Sequence, residues 1–240
     1  MSKTIQQIKK ELDKIEEKVS LTGEEIYKAY KDYLNLLIQV VAKQFILASY
    51  QICTQIYPEA FLKISFSQRE HLQQQLRKIS QENFQDLLDY FSSEEDTLNI
   101  RNPGELADWL DNLEASLVLK LEEISKLGNN CLQKVGILPE DIPAKIIAMA
   151  MEAEENLPNI NSSPNLLNIL TEKENNISQV TVLRLSLIEI EFSESNLTTQ
   201  RNKIRTIKQE IKQLEQKYQR QIKELAIAEA ETAWRSSWHL

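Results

Sequence analysis

Two histidines, two cysteines and three tryptophans are the side chains whose chemistry is weighed first in this 240-residue chain. His71 and His239 have no Cys, Asp or Glu at metal-ligand spacing, so no metal site is expected. Cys53 and Cys131 form neither a metal-type pair nor a disulfide framework, and each lies in an apolar helical run. They read as small buried hydrophobes of a reducing compartment. Carboxylates are many but fall on helix faces and in first turns, where they complement the helix dipole. Glu189 and Glu191, two apart, face different sides of a helix. There is no Gly-rich phosphate loop and no nucleophile elbow. No catalytic residue, cofactor or metal ligand is therefore assigned, and an enzyme is not expected.

The chemistry that does stand out is recognition chemistry. The stretch ELAIAEAETAWRSSWHL, residues 224–240, puts Trp234 and Trp238 one helical turn apart with Arg235 between them. Ile227 and Ala230 extend that face, and Ala226, Ala228, Ala230 and Ala233 permit close helix approach. The two rings either plug the end of the protein's own bundle or anchor another protein, since Trp and Arg are enriched at interface hot spots. Upstream, residues 201–223 hold eight basic residues, Arg201, Lys203, Arg205, Lys208, Lys212, Lys217, Arg220 and Lys223, against Glu210 and Glu215. Residues 82–123 hold twelve acidic residues against Arg101 and Lys120. Such asymmetry predicts either self-complementarity or contact of the basic face with something anionic. The basic run is interleaved with no aromatic except Tyr218, which disfavours single-stranded nucleic acid. It also lacks the large apolar residues of an interfacial membrane helix. A protein partner is the economical reading. The candidate partner-binding residues are Trp234, Trp238, Arg235 and the eight cations.

The elements that must carry these residues are helices. Only 4 Gly and 6 Pro occur, too few for hairpin-rich or nucleotide-binding α/β topologies. Ile5, Leu12, Val19, Ile26, Tyr33, Val40 and Leu47 recur every seventh residue, with Ile8, Ile15, Thr22, Ala29 and Leu36 in the companion position. That 3-4 spacing is a coiled-coil seam. Thr22-Gly23-Glu24-Glu25 fits a capping box where the helix restarts, and Pro58 ends the rod. Ser67-Gln68-Arg69-Glu70 is read as a second box, opening a helix to about Phe91. Asn102-Pro103-Gly104-Glu105 opens another, with Gly128 as its C-cap. A polar loop at 92–99, a helix over 143–155, a linker at 157–165 and a short helix at NLLNILTEK follow. Residues 177–192 carry partly alternating β-branched positions, but helix is favoured because no other segment looks like a partner strand. A last helix spans 196–238 with Leu197, Ile204, Ile207, Ile211, Leu214, Tyr218, Leu225 and Ala228 as its seam.

The prediction is an all-α helical bundle whose long terminal heptad helices pair as an antiparallel coiled-coil stalk, within one chain or between two copies. The domain reading is 1–58 heptad helix, 59–157 acidic core, 158–195 linker and short helices, and 196–240 basic helix. Residues 34–53 are about long enough to span a membrane, but Asn35, Gln39, Lys43, Gln44 and Gln51 interrupt them, and a mid-membrane Lys costs about 3 kcal/mol. A buried core helix is expected there, with membrane contact at most peripheral. The start, MSKTIQQIKKELDK, has no secretory h-region. Net charge −8 removes a global nucleic-acid footprint.

Four strings, SFSQREHLQQQLRKI at 65–79, VLRLSLIEIEF at 182–192, QRNKIR at 200–205 and ELAIAEAETAWRSSW at 224–238, resemble a cyanobacterial family of all-helical, coiled-coil proteins of unknown function. The resemblance covers most of the chain and implies a cytoplasmic setting, peripheral at most to thylakoid membrane, but transfers no activity or site residue. The function expected is a structural adaptor that assembles protein partners, including a homodimer. The alternative is a peripheral binder of an anionic surface, membrane or RNA, through the basic helix.

Overall fold

The computed structural model describes residues 4–82, 84–91, 100–139, 164–173 and 176–238. The expected loop at 92–99, helix at 143–155, most of the linker at 157–165, and His239 lie outside these. Among the described residues the elements follow in order: α1 (Ile5–Gln51), a π-helical turn (Ile52–Ile56), α2 (Pro58–Lys63), α3 (Phe66–Glu82), α4 (Gln85–Tyr90), α5 (Pro103–Lys134), β1 (Leu166–Lys173), β2 (Asn176–Leu183), α6 (Leu187–Ser193) and α7 (Ser195–Ser237). The class is all-α, with one small two-stranded sheet and long first and last helices.

Helix ends follow side-chain chemistry. Thr4 and Gln7 exchange reciprocal bonds: the Thr4 N–H donates to Gln7 Oε1 at 2.9 Å and the Gln7 N–H to Thr4 Oγ1 at 3.3 Å. Ser65 and Gln68 do the same at 2.8 and 3.3 Å, so the box of α3 sits two residues before the one read from sequence. Asn102 caps α5 as expected, accepting from the Gly104 N–H at 2.8 Å. Thr22, read as a cap, instead donates its hydroxyl to the Lys18 carbonyl at 2.8 Å inside an unbroken helix. Gly128 is not a C-cap either. Helix α5 continues to Lys134, and the capping glycine is Gly136, at φ +76, with the Ile137 N–H donating back to the Leu132 carbonyl at 2.9 Å. At Gly128 a Cβ would lie 2.7 Å from both Leu183 Cδ1 and Phe45 Cε2, so close packing requires the glycine.

Two compact units interleave along the chain rather than following one another. The first comprises Met1–Tyr33, Tyr90–Glu114 and Thr199–Leu240; the second comprises Leu34–Asp89 and Ala115–Thr198. In the first unit α1 buries Leu12, Val19, Ile26 and Tyr33, α5 buries Leu106, Leu110 and Leu113, and α7 buries Ile204, Ile207, Ile211 and Leu214. An aromatic cluster joins them: Tyr27 to Phe91 at 5.1 Å between centroids, Phe91 to Trp109 at 6.3 Å, and Trp109 to Tyr30 at 6.4 Å.

In the second unit the buried face of α1 drifts off the heptad. Leu34, Leu37, Val41, Phe45, Ala48 and Ile52 are buried, and Leu47, the seventh heptad position, is 45% exposed. A straight helix rotates about 20° per heptad against a strict seven-residue repeat, which carries the stripe away from the seam. Among the described residues one helix, Ile5–Ile56, is long and apolar enough to cross a membrane, and 44% of its most apolar window is buried within the protein.

NLLNILTEK and the first part of 177–192, both read as helix, are the two strands. They pair antiparallel from Leu166 with Leu183 to Lys173 with Asn176. The alternating Val180 and Val182 face the core, and the Ile190 end of the same segment is helix α6. The outward N–H groups of the β2 side are taken by side chains from helices: Thr181 donates to Tyr57 Oη at 2.9 Å, Leu183 to Asn129 Oδ1 at 2.8 Å, and Leu185 to Ser125 Oγ at 2.9 Å. Asn129 Nδ2 also donates to the Leu183 carbonyl at 2.9 Å, so one amide pairs both backbone groups as a strand would. Asn165, buried and at φ +63, starts the hairpin; its N–H donates to Glu189 Oε2 at 2.6 Å and its Nδ2 to Gln44 Oε1 at 3.4 Å. Asn tolerates this left-handed conformation better than other non-glycine residues do.

Candidate functional site

Within the first unit α1 and α7 run antiparallel. Lys9 Nζ lies 3.6 Å from Glu229 Oε1 and Lys18 Nζ 2.8 Å from Glu210 Oε1, while Arg201 Nη1 donates to Tyr30 Oη at 3.2 Å. Glu16 and Tyr218 form a further level; burial, then the Glu16 carboxylate, pushes the phenol pKa up. The hydrogen bond that Lys18 donates to Glu210 raises the ammonium pKa, and the pair is exposed, so solvent screens it. Gln221 is buried in this seam, a polar position that the sequence reading passed over.

The eight cations of α7 divide into two groups. Arg201 and Lys208 turn inward onto α5. Arg201 Nη1 donates to Glu114 Oε1 at 2.9 Å; Lys208 Nζ donates to Glu114 Oε2 at 2.9 Å and to Asp111 Oδ1 at 2.7 Å. Tyr30 Oη donates to Glu114 Oε1 at 2.8 Å, and the Arg201 guanidinium lies 6.0 Å from the Tyr33 ring centroid. Glu114 is thus the node of three helices. Burial alone would raise its pKa, but the Lys208 bond, the Arg201 charge and the Tyr30 hydroxyl together hold it below the usual carboxylate value. Burial likewise acts to lower Lys208, and Asp111 and Glu114 outweigh it to leave the ammonium raised. Burial and the Glu114 charge push the Tyr30 phenol far up. Here the acidic middle and the basic helix complement each other within one chain.

Lys203, Arg205, Lys212, Lys217, Arg220 and Lys223 are exposed. Arg220 Nε lies 3.9 Å from Glu224 one turn on; the other five have no carboxylate partner among the described residues. From Glu229 to Trp238 every residue is exposed. Trp234 and Trp238 are 65% and 58% exposed, their centroids 5.2 Å apart and the rings inclined by 35°. They do not plug the bundle. Arg235 stays on its own helix, 3.4 Å from Glu231. A groove of about 810 Å³ between the start of α1 and the end of α7 is lined by Ile5, Ile8, Ile227, Ala228, Glu231 and Arg235, and by neither tryptophan.

His71 is exposed, and among the described residues no group of three or more His, Cys, Asp or Glu is placed to hold a metal ion. Both cysteines are free thiols; burial pushes Cys53 up to about 11 and raises Cys131 against the smaller opposing effect of Lys134. No family model, curated protein or solved structure matches this chain.

Proposed function

We propose that the chain is a non-enzymatic adaptor that assembles protein partners, docking one of them on the C-terminal end of α7. The observation that carries the reading is the exposed Trp234–Trp238 pair on a helix end that buries no residue from Glu229 onward. Two indoles held in one helix face are rigid, large contact surfaces, and hot-spot anchors of this kind cost about 2 kcal/mol or more when truncated. The antiparallel α1–α7 pair, taken as an intramolecular coiled coil, is the stalk that presents them. A cytoplasmic setting accords with the two free thiols.

The test is capture from native lysate by wild-type protein and by Trp234→Ala/Trp238→Ala, with scattering mass measured for both. A defined partner bound by the wild type and lost by a normally folded variant supports docking at the pair. A partner kept by the variant, or no partner and no self-association, refutes it. A second reading, binding of an anionic surface through α7, draws on Lys203, Arg205, Lys212, Lys217 and Lys223, exposed and with no carboxylate partner among the described residues. Arg201 and Lys208 are engaged by Glu114 and Asp111 and Arg220 lies near Glu224, so five of the eight basic residues remain for it. It predicts liposome or RNA binding that weakens steeply between low and moderate salt.

A further inference from the structure

A second surface, within the other unit, has the chemistry of a small-ligand site. Where α1 passes into its π-helical turn, the Tyr57 N–H donates to the Ile52 carbonyl at 2.8 Å, five residues back. π-Helical turns are rare and frequent at functional sites. This one sets Cys53 and Thr54 on the wall of a cleft of about 340 Å³. The opposite wall is α3, through Leu72 and Leu76, and Phe61 of α2 and Ile46 of α1 complete the apolar lining. The volume lies at the lower end of the range of about 300–1,000 Å³ found for small-molecule clefts.

The polar groups at this cleft are unevenly used. The hydroxyls of Ser49 and Thr54 are turned back onto the helix, donating to the Phe45 and Tyr50 carbonyls at 2.8 Å each. The Cys53 thiol is buried and, at about 11, stays neutral at physiological pH, so it acts as apolar wall. Among the described residues no Asp or Glu lines the cleft, and the one charge that does is Arg77, exposed at the rim, whose guanidinium meets no carboxylate among them. The neighbouring cation, Lys78, is by contrast paired with Glu82 at 3.8 Å. An apolar slot with one unneutralised, fork-shaped donor at its mouth matches a chain with a planar anionic head.

We propose that this cleft binds a single-chain fatty carboxylate, its tail against Cys53, Leu72 and Leu76 and its carboxylate on Arg77. Apolar burial of the methylene tail supplies the binding. Arg77 supplies the choice of head group.

Calorimetric titration of the full chain with dodecanoate, below its micelle concentration, tests this beside dodecanol and dodecyltrimethylammonium. Saturable one-to-one binding of dodecanoate is expected. Arg77→Gln should weaken dodecanoate about tenfold and leave dodecanol unchanged, as loss of a charged hydrogen bond does. Gln73→Trp fills the cleft from an exposed lining position and should weaken both ligands. The cation should bind more weakly than the carboxylate. The assignment is overturned by no saturable binding, by binding that neither variant changes, or by a cation that binds as tightly as the carboxylate. Co-sedimentation with phosphatidylglycerol vesicles that Arg77→Gln abolishes, without monomer binding, would make the cleft a membrane contact and equally overturn it.

Discussion

Replacing Glu114 by Gln isolates the polar node of the first unit. The carboxylate accepts from Tyr30, Arg201 and Lys208 at 2.8, 2.9 and 2.9 Å, and the Glu114 and Arg201 side chains are only 23% and 14% exposed. Gln keeps the shape but loses the charge, and one of its two terminal atoms cannot accept a bond. Breaking a buried pair from one side costs about 3–5 kcal/mol, and an exposed pair is worth about 0–1. For this half-buried node about 2–3 kcal/mol is expected. In a chain of this length that corresponds to a fall in Tm of roughly 5–10 °C. Urea unfolding followed by circular dichroism at 222 nm measures it, with Arg201→Gln and the double variant completing a cycle. A coupling of about 1–2 kcal/mol is expected.

Acidity gives an independent readout of the same node. Glu114 has a folded pKa below the ordinary 4.5, so its contribution is present above 4.5 and is lost as pH falls through the folded value. Lys208 and Tyr30 have raised pKa values; their contributions are full below 10.5 and 10.0 and are lost as pH rises through the folded values. The stability difference between wild type and Glu114→Gln should therefore be flat from about pH 5 to 10 and shrink in acid. An unchanged urea midpoint, singles that add within about 0.5 kcal/mol, or a difference that does not shrink as the pH is lowered would refute the reasoning.

Gly128→Ala sets a helix-propensity gain of about 1 kcal/mol against overpacking on the Phe45 ring of about 1–3 kcal/mol, so net destabilisation is expected in the same urea assay. A stabilised variant would show that α5 shifts freely there. Ile211→Asp puts an unpaired charge at a position 1% exposed and should cost about 3–5 kcal/mol, seen as lost helicity or a much lower midpoint. Unchanged helicity and midpoint would show that this face of α7 is not a seam.

Much of the helical layout was legible because it is written in short-range spacing. The seam residues Ile204, Ile207, Ile211 and Leu214 are buried as their periodicity requires. Asn102 and Pro103 announced a helix start by local chemistry alone. What failed depended on distant partners. NLLNILTEK has the composition of a short helix, and residues 177–192 lacked a visible partner strand only because each concealed the other. The outer edge of β2 is bonded by Asn129 and Tyr57, far away in sequence, which no local pattern discloses. Gly128 looked like a cap because Gly after Leu usually is one; its reason is the approach of Phe45 and Leu183. At the candidate site the Trp pair and the basic run were legible as types, but which cations are engaged was not. Arg201 and Lys208 differ from their neighbours only in facing Glu114 and Asp111 across α5.

The side chains that occupy the β2 edge bear on how the chain avoids self-adhesion. An isolated two-stranded hairpin is marginal in water, and a free strand edge is a template for pairing with another molecule. Tyr57, Asn129 and Ser125 fill successive outward N–H positions, so a foreign strand finds no free donors at Thr181, Leu183 or Leu185. That protection exists only once α5 and the turn before α2 are already in place. Without those partners the same edge is open beside Leu167, Val180 and Val182, all of them buried in the finished protein.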